Sequence, residues 1–267
     1  MAVVAVLDPP LVILAPRPIR VAVFPRFLYT CAMYLLTPVI LFRLARRGLH
    51  YRSYLGRWRE RFGCFPTPAF DCSKPVLWLH AVSVGETLAA VPLIKTLQNQ
   101  HPDWQWVVTT TTPTGSERVR AVLGDSVFHV YAPYDLPIFL SHFLQRVKPA
   151  MLIVMETELW PNMYAACSAR GIPLIEDVCE SHGATHNGRR LGSIGWMSNF
   201  SFYYAHHMST IEGGMVCTDD AEVYQQIRML RSHGMVRESN DADYRTAWRE
   251  ANPELNPDFI FAYPAYN

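Results

Sequence analysis

Between residues 76 and 175 short apolar runs alternate with stretches of helical periodicity. The runs lie at 76–82, 106–111, 127–132, 151–155 and 172–175, and the helical stretches at 86–98, 115–123, 136–146 and 160–170. Runs this short and this continuously apolar suit strands buried on both faces, and each intervening stretch is long enough to carry the chain back as a crossover helix. The pattern predicts an α/β fold built on a Rossmann-like parallel sheet covered on both sides. In such sheets ligands bind outside the carboxyl ends of the strands, so the residues just after each run are the ones to inspect for chemistry.

The residues before this region have a different texture. Residues 27–42 form a run of sixteen positions without a charge, and Pro38 lies inside it. The run is slightly short of the roughly 20 residues that cross a bilayer. A second apolar stretch, 1–16, is broken by Asp8, Pro9 and Pro10 and does not count as a span. From Arg43 to Arg61 there are seven arginines and a single acid, Glu60. A cleaved signal peptide is disfavoured because no small-x-small pattern follows the apolar run. The arginines favour a membrane anchor or monotopic insertion over a core helix, with the following domain on the cytoplasmic side of the membrane.

A formal net charge of +1 gives no global case for binding nucleic acid. The six cysteines include no C-x-x-C pair and no zinc spacing, so they read as reduced thiols, with no metal site.

Three strand ends carry polar groups. In HAVSVGE, His80 to Glu86, a turn containing Ser83 and Gly85 leads into a helix. Glu86 is either a helix-start carboxylate favoured by the dipole or a general base that takes a proton from an attacking hydroxyl. In TTTTPTGSER, Thr114 or Ser116 would cap the next helix, and Gly115 would let backbone approach a ligand. Such a helix start is either an ordinary cap or an anion site. In METELWPN, Glu156 and Glu158 follow an apolar strand, where they bind sugar hydroxyls or cap the next helix.

Taken in order and spacing, YRSYLGRWRERFG, LHAVSVGETLAAVPLI, TTTTPTGSERV, YAPYDLP and METELWPN resemble the N-terminal domain of bacterial Kdo (3-deoxy-manno-octulosonic acid) transferases over about residues 27–173. The resemblance implies a GT-B architecture whose N-terminal domain holds a lipid A precursor, while a second domain holds CMP-Kdo. It implies metal-independent and cofactor-free transfer of Kdo to a glucosamine hydroxyl in lipopolysaccharide synthesis. By the same resemblance Glu86 is the catalytic base, and Ser83, Gly85, Thr114, Gly115, Ser116, Glu156 and Glu158 line the acceptor cleft.

From Leu174 the sequence resembles another family. LIEDVCESHGATHNGRRLGSIGWMSNFSFYYAHHMSTIEGGMVCTDD is similar to the middle of pyridoxal-phosphate-dependent sugar aminotransferases and dehydratases of the DegT/DnrJ/EryC1/StrS type. That likeness implies that Asp177 bonds the cofactor's pyridine nitrogen, keeping the ring an electron sink, and that Ser201 contacts its phosphate. Six residues before Glu212, where the aminotransferases carry the lysine that holds the cofactor, stands His206, followed by His207; no lysine follows Lys148. A histidine there resembles the deoxysugar 3-dehydratases, in which it acts as a base; otherwise His206 and His207 are a loop pair without a ligand.

The expected organisation is an anchor and arginine-rich segment at 1–62, an acceptor-type domain at 63–173 and an incomplete aminotransferase-like α/β segment at 174–267. The two would join near residues 170–177, with 172–175 completing the first sheet. Periodicity adds a helix over 221–233, capped by Asp219 or Asp220 and ended by Gly234, and reads 250–267 as loop. On this reading the chain is a Kdo-type glycosyltransferase with little turnover for want of a donor domain. The alternatives are a pyridoxal-phosphate enzyme fragment and a non-catalytic fusion whose residues beyond 178 are open to proteolysis.

Overall fold

The computed structural model describes residues 23–156, 160–186 and 188–263. Glu158 and the apolar stretch at 1–16 lie outside them. The chain divides into two compact units, 15–215 and, apart from its first residues, 216–267.

The first unit opens with helix α1, Val23–His50, which contains the uncharged run and continues beyond it to the glycine and arginines at its end. Two short 3-10 turns follow, Arg52–Tyr54 and Trp58–Phe62. The layered part then runs β1 (Val76–His80), α2 (Val84–Gln100), β2 (Gln105–Thr110), α3 (Pro113–Leu123), β3 (Phe128–Tyr131), α4 (Pro137–Val147), β4 (Met151–Val154), α5 (Pro161–Ser168) and β5 (Leu174–Asp177). After it come a small antiparallel pair, β6 (Thr185–His186) with β7 (Arg189–Arg190), then β8 (Met197–Ser201) and β9 (Gly214–Thr218).

Within the first unit the main sheet has the order β3-β2-β1-β4-β5-β8. The pairs from β3 to β8 are parallel. The first five strands therefore lie in the order 3-2-1-4-5, the doubly wound arrangement that the alternation of runs predicts. Residues 172–175 do belong to this sheet, shifted slightly to Leu174–Asp177, and they lie between two strands. Leu152 and Ile153 of β4 face Leu174 and Ile175, and Ile175 in turn faces Met197 of β8. The sheet runs unbroken through the junction.

Strands β1, β2 and β4 are buried almost throughout, as two covered faces require. A single core includes Trp78, Val107, Phe143, Leu152 and Leu174, and it extends past the junction to Val178, Leu191 and Ile194. The Trp78 and Phe143 rings pack with centroids 4.5 Å apart and planes tilted by 43°. Phe143 comes from α4, whose buried positions Leu140, Phe143, Leu144 and Val147 form one stripe at three- and four-residue spacing.

In the second unit helix α6, Ala221–Leu230, starts at Asp220, whose carboxylate accepts from the backbone N–H groups of Glu222 and Val223. Gly234 follows at φ +81°, and a side chain there would collide with the Tyr263 carbonyl. A further helix, α7 (Ala242–Ala251), is capped by Asp241.

Candidate functional site

In a doubly wound sheet the order reverses between β1 and β4, and the loops leaving those strands part to leave a crevice at their carboxyl ends. The register places Thr109, His80, Val154, Glu176 and Ser198 in one row across β2, β1, β4, β5 and β8. The turns holding the candidate residues leave the sheet just beyond this row. The turn after β1 carries Ser83, Gly85 and Glu86, and that after β2 carries Thr114, Gly115 and Ser116. Glu156 follows β4, Asp177 ends β5 and Ser201 ends β8. Of the sequence-predicted residues, Ser83, Gly85, Glu86, Thr114, Gly115, Ser116, Glu156, Asp177 and Ser201 therefore follow or end strands at one edge. With strands about 4.8 Å apart, β1 and β8 are about 14 Å from each other.

The turn after β1 is a reciprocal cap. Ser83 Oγ accepts from the Glu86 N–H (3.2 Å), while Glu86 accepts from the Ser83 N–H (3.0 Å) and the Val82 N–H (2.6 Å). This arrangement satisfies donors that a helix start leaves open, and it fixes the Glu86 side chain, which is only 3% exposed. Helix α2 consequently begins at Val84, before Glu86 rather than at it. Gly85 is exposed, and a Cβ there would meet little besides Ser83 Oγ at 3.7 Å.

The turn after β2 differs from expectation. Its cap is Thr112, neither Thr114 nor Ser116, because Pro113 occupies the first helical position and sets the start two residues earlier. Thr112 Oγ1 accepts from the Gly115 N–H (3.1 Å). A Cβ on Gly115 would lie 3.0 Å from that same oxygen, so the glycine makes room for the cap. Thr114 is exposed, and Ser116 is buried and accepts from Arg57 (3.1 Å).

Arg57 and Arg61 were grouped with the arginines expected at the lipid face, yet both turn inward. Arg57, at φ 57°, pairs with Glu60 (2.6 Å) and donates to the His129 carbonyl (2.6 Å). Arg61 is buried, donates to the Thr111 carbonyl (2.8 Å) and lies 4.3 Å from the centre of the Tyr131 ring. Glu60 accepts from the Tyr131 N–H (2.8 Å). The segment 57–61 is thus strapped across the carboxyl ends of β2 and β3. Periodicity could not reveal this, since the contacts are long-range and made by charged residues.

Asp135, within YAPYDLP, is the other residue that sequence reasoning passed over. Buried, it accepts from the backbone N–H groups of Asn162 (3.0 Å) and Met163 (2.7 Å) and so caps α5 from a distance. Burial raises its pKa to about 6, against the pull of those hydrogen bonds. Two histidines in the region are held neutral. Burial lowers His80 to about 4, and burial aided by Arg57 and Arg120 lowers His129 to about 3. His80 Nδ1 meets Thr109 Oγ1 at 2.9 Å, and its ring stands edge-on to Trp160 at 5.1 Å. Glu156 is exposed in left-handed backbone, at φ 55°.

On the other half of the edge, one Asp177 oxygen accepts from the Cys179 N–H (3.2 Å) and from Asn199 Nδ2 (2.9 Å). Cys179 is pushed up to about 12 by burial and by Asp177. Ser201 Oγ accepts from the Tyr203 N–H (3.3 Å). His206 is half-buried, its ring 6.5 Å from that of His182, whose ring nitrogens are both buried without a partner. Neighbouring Glu176 is buried and accepts from the N–H groups of Gly192 (3.1 Å), Ile194 (2.9 Å) and Gly195, closing the loop before β8. A strand-end carboxylate, a hydroxyl and an imidazole suit the pyridine nitrogen, phosphate and proton transfer of pyridoxal phosphate. A group to hold that cofactor covalently is missing from 149–267, which contain no lysine. Among the described residues no cluster has the makings of a metal site.

Comparison with known proteins finds two families, one matching each part of the chain. Residues 56–176 match the family profile described as 3-deoxy-D-manno-octulosonic-acid transferase, and 141–255 match the DegT/DnrJ/EryC1/StrS aminotransferase family. The 3-deoxy-D-manno-octulosonic acid transferase of Haemophilus influenzae is 40% identical over 170 residues, which is 63% of this chain and 39% of that protein. The GDP-4-keto-6-deoxy-D-mannose 3-dehydratase of Yersinia pseudotuberculosis is 39% identical over 137 residues, 50% of this chain and 34% of that protein. The chain thus spans between a third and two-fifths of these relatives. Among solved structures, the E. coli GDP-4-keto-6-deoxy-D-mannose-3-dehydratase with bound hydrated PLP aligns at 21% identity and a TM-score of 0.44, over 78% of this chain and 47% of that one. Two stretches in series are thus similar to different families, residues 56–176 to the 3-deoxy-D-manno-octulosonic-acid transferases and residues 141–255 to the DegT/DnrJ/EryC1/StrS aminotransferases, and the two matches overlap at 141–176.

Proposed function

We propose that the first segment is the acceptor-binding half of a glycosyltransferase that moves Kdo from CMP-Kdo to a lipid A precursor at the cytoplasmic face of the membrane. The observation that carries this reading is the gathering of the turns after β1, β2 and β4 at one sheet edge, around the point where strand order reverses. In this reading Glu86 takes the proton of the attacking glucosamine hydroxyl. A carboxylate offers about four lone-pair sites, and two backbone donors hold the group still while leaving acceptor capacity for a substrate O–H. Ser83, Gly85, Thr114, Gly115, Ser116, Glu156 and Glu158 belong to the acceptor side. We assign residues 1–62 to the anchor and its strap, 63–173 to the acceptor domain and 174–267 to the aminotransferase-like part.

Past β5 the chain follows the aminotransferase pattern as far as residue 255, in place of a CMP-Kdo domain. Orienting both reactants supplies a large share of the barrier reduction in group transfer. Residues 1–267 assayed by themselves are therefore expected to bind acceptor and to transfer Kdo at least about 100-fold more slowly than an intact transferase. Calorimetric titration with a lipid A precursor and radiolabelled CMP-Kdo transfer test the two halves separately. Absence of saturable acceptor binding overturns the acceptor assignment, and robust transfer overturns the expectation of low turnover.

A second reading is favoured by the placement of Asp177 and Ser201 on the same edge: a pyridoxal-phosphate site of the sugar-dehydratase kind. Bound there, the cofactor would supply an electron sink. Asp177 would hold the ring nitrogen, Ser201 the phosphate, and His206 would carry a proton. A visible absorption band on adding pyridoxal phosphate, lost in Asp177→Asn, supports it; no band, or a band unchanged in the variant, defeats it.

A further inference from the structure

We infer that Asp135 is a positioning residue of the acceptor crevice, and that the side chain it holds in place for a sugar ring is Trp160. The inference rests on the acceptor reading given above and adds to it the face against which the sugar lies.

Both strands at which the order reverses contribute to the setting of Trp160. Its backbone belongs to the segment that leaves β4, while its ring stands edge-on to that of His80, the last residue of β1, at 5.1 Å. It is half-buried: part of it packs against the core and part stays open. An indole offers a flat apolar face to the C–H groups of a pyranose, and small-molecule sites are built from such aromatic walls with a few polar groups among them. In the neighbouring ring, His80 Nε2 is buried without a hydrogen-bond partner. Buried polar atoms seldom go unpaired, and a hydroxyl of a ligand resting on the indole would supply the missing bond.

The residues after Trp160 set its position. Pro161 restricts it to non-helical backbone and takes the first position of α5. Trp160 stands at the cap of that helix, yet its side chain accepts nothing there. The cap comes from Asp135, 27 residues before Asn162. Its two carboxylate oxygens hold two consecutive amides, Asn162 N–H at 3.0 Å and Met163 N–H at 2.7 Å, and its carbonyl accepts from Asn162 Nδ2 at 2.9 Å. Three bonds to one residue oppose both sliding and tilting of the first turn of α5, and with it of Trp160. Serine or asparagine would cap a helix start without burying a charge, but each has a single acceptor oxygen to offer. An acid that is 1% exposed, with its pKa raised to about 6 by burial, is a poor choice for stability alone. What it provides is a two-point grip.

The test uses the full chain and calorimetric titration with a lipid A precursor in detergent micelles. Trp160→Ala should lower affinity about tenfold with an unchanged circular dichroism spectrum. Asp135→Asn, which can accept from only one of the two amides, should also lower it about tenfold. Because Asp135 acts through Trp160, Asp135→Asn should have no further effect in the Trp160→Ala background, whereas a residue that only supports the fold would weaken both proteins alike. Asn162→Ala keeps both amides and cuts the bond to the Asp135 carbonyl. It should lose about threefold, again only when the indole is present, and it serves if Asp135→Asn does not fold. Full affinity in Trp160→Ala, or equal losses from these variants with and without the indole, overturns the inference and leaves the acceptor reading standing. A natural chain without saturable binding overturns both.

Discussion

At the level of single residues, the edge of the sheet is dominated by groups whose charge the fold suppresses. His80 has a folded pKa of about 4 against an ordinary 6.5, so between those values the unfolded chain binds a proton that the folded chain refuses. Stability contributed by the neutral ring is full above pH 6.5 and is lost as pH falls towards 4, by up to about 3 kcal/mol. His129 acts in the same direction. Asp135 acts oppositely. With its pKa raised to about 6, the folded state holds a proton that the unfolded state has released, so stability falls as pH rises from about 4 to 6. Two histidines outweigh one carboxyl, and urea midpoints are expected to fall on going from pH 7 to pH 5. His80→Asn should flatten that dependence; an unchanged slope would show that the imidazole is not the cause. Sequence alone pointed to Glu86 and Ser83 but left open whether the carboxylate is a helix-start group. The structure shows it capping, and proton abstraction is a separate matter for kinetics. Asp135, Arg57 and Arg61 escaped notice because their partners are distant in sequence and no local periodicity encodes them.

At the level of elements, the alternation of apolar runs predicted β1 to β5 and the helices between them. Their ends shifted where capping chemistry intervened, as at Thr112 before Pro113 and at Ser83 before Val84. The Ser83 cap should be measurable. Ser83→Ala removes one acceptor of the reciprocal pair and is expected to destabilise by about 1 kcal/mol. Restoring the hydroxyl with Ser83→Thr should recover most of that, as read by chemical denaturation. Helix α6 was legible because Asp220 and Gly234 bracket an amphipathic stretch, whereas α7, a mostly polar helix with none of its residues buried, was left unread although Asp241 caps it. Residues 203–205 and 207–212 are exposed beyond β8, so limited proteolysis should cut there before it cuts anywhere in 76–178. Early cleavage inside β1 to β5 would contradict the packing described.

At the scale of the first unit as a whole, two stretches that resemble different families share one core. Leu174 is fully buried and belongs to the same cluster as Trp78 and Val178. Leu174→Ala is expected to cost about 2 to 5 kcal/mol. It should also shift the unfolding of both sides of the junction together, reported by Trp78 on one side and Trp196 on the other through single-tryptophan variants. Two separated transitions would mean that the sides fold independently. The sequence pattern predicted a strand near residues 172–175 completing the first sheet, and β5 is that strand. It could not show that the same strand also carries the next one, because pairing to β8 depends on backbone geometry that apolar composition does not specify.

A parallel ladder is built from main-chain amides and carbonyls, which are alike in every protein, and β5 adds Leu174 to the layer on one side of the junction while Glu176 binds the loop that leads to β8 on the other. Its neighbours on the two sides can therefore descend from unrelated ancestors and still be stitched edge to edge. The same strand is a natural suture line: other α/β pieces that begin with an apolar strand should be graftable behind Pro173 without disturbing the helices and turns ahead of it.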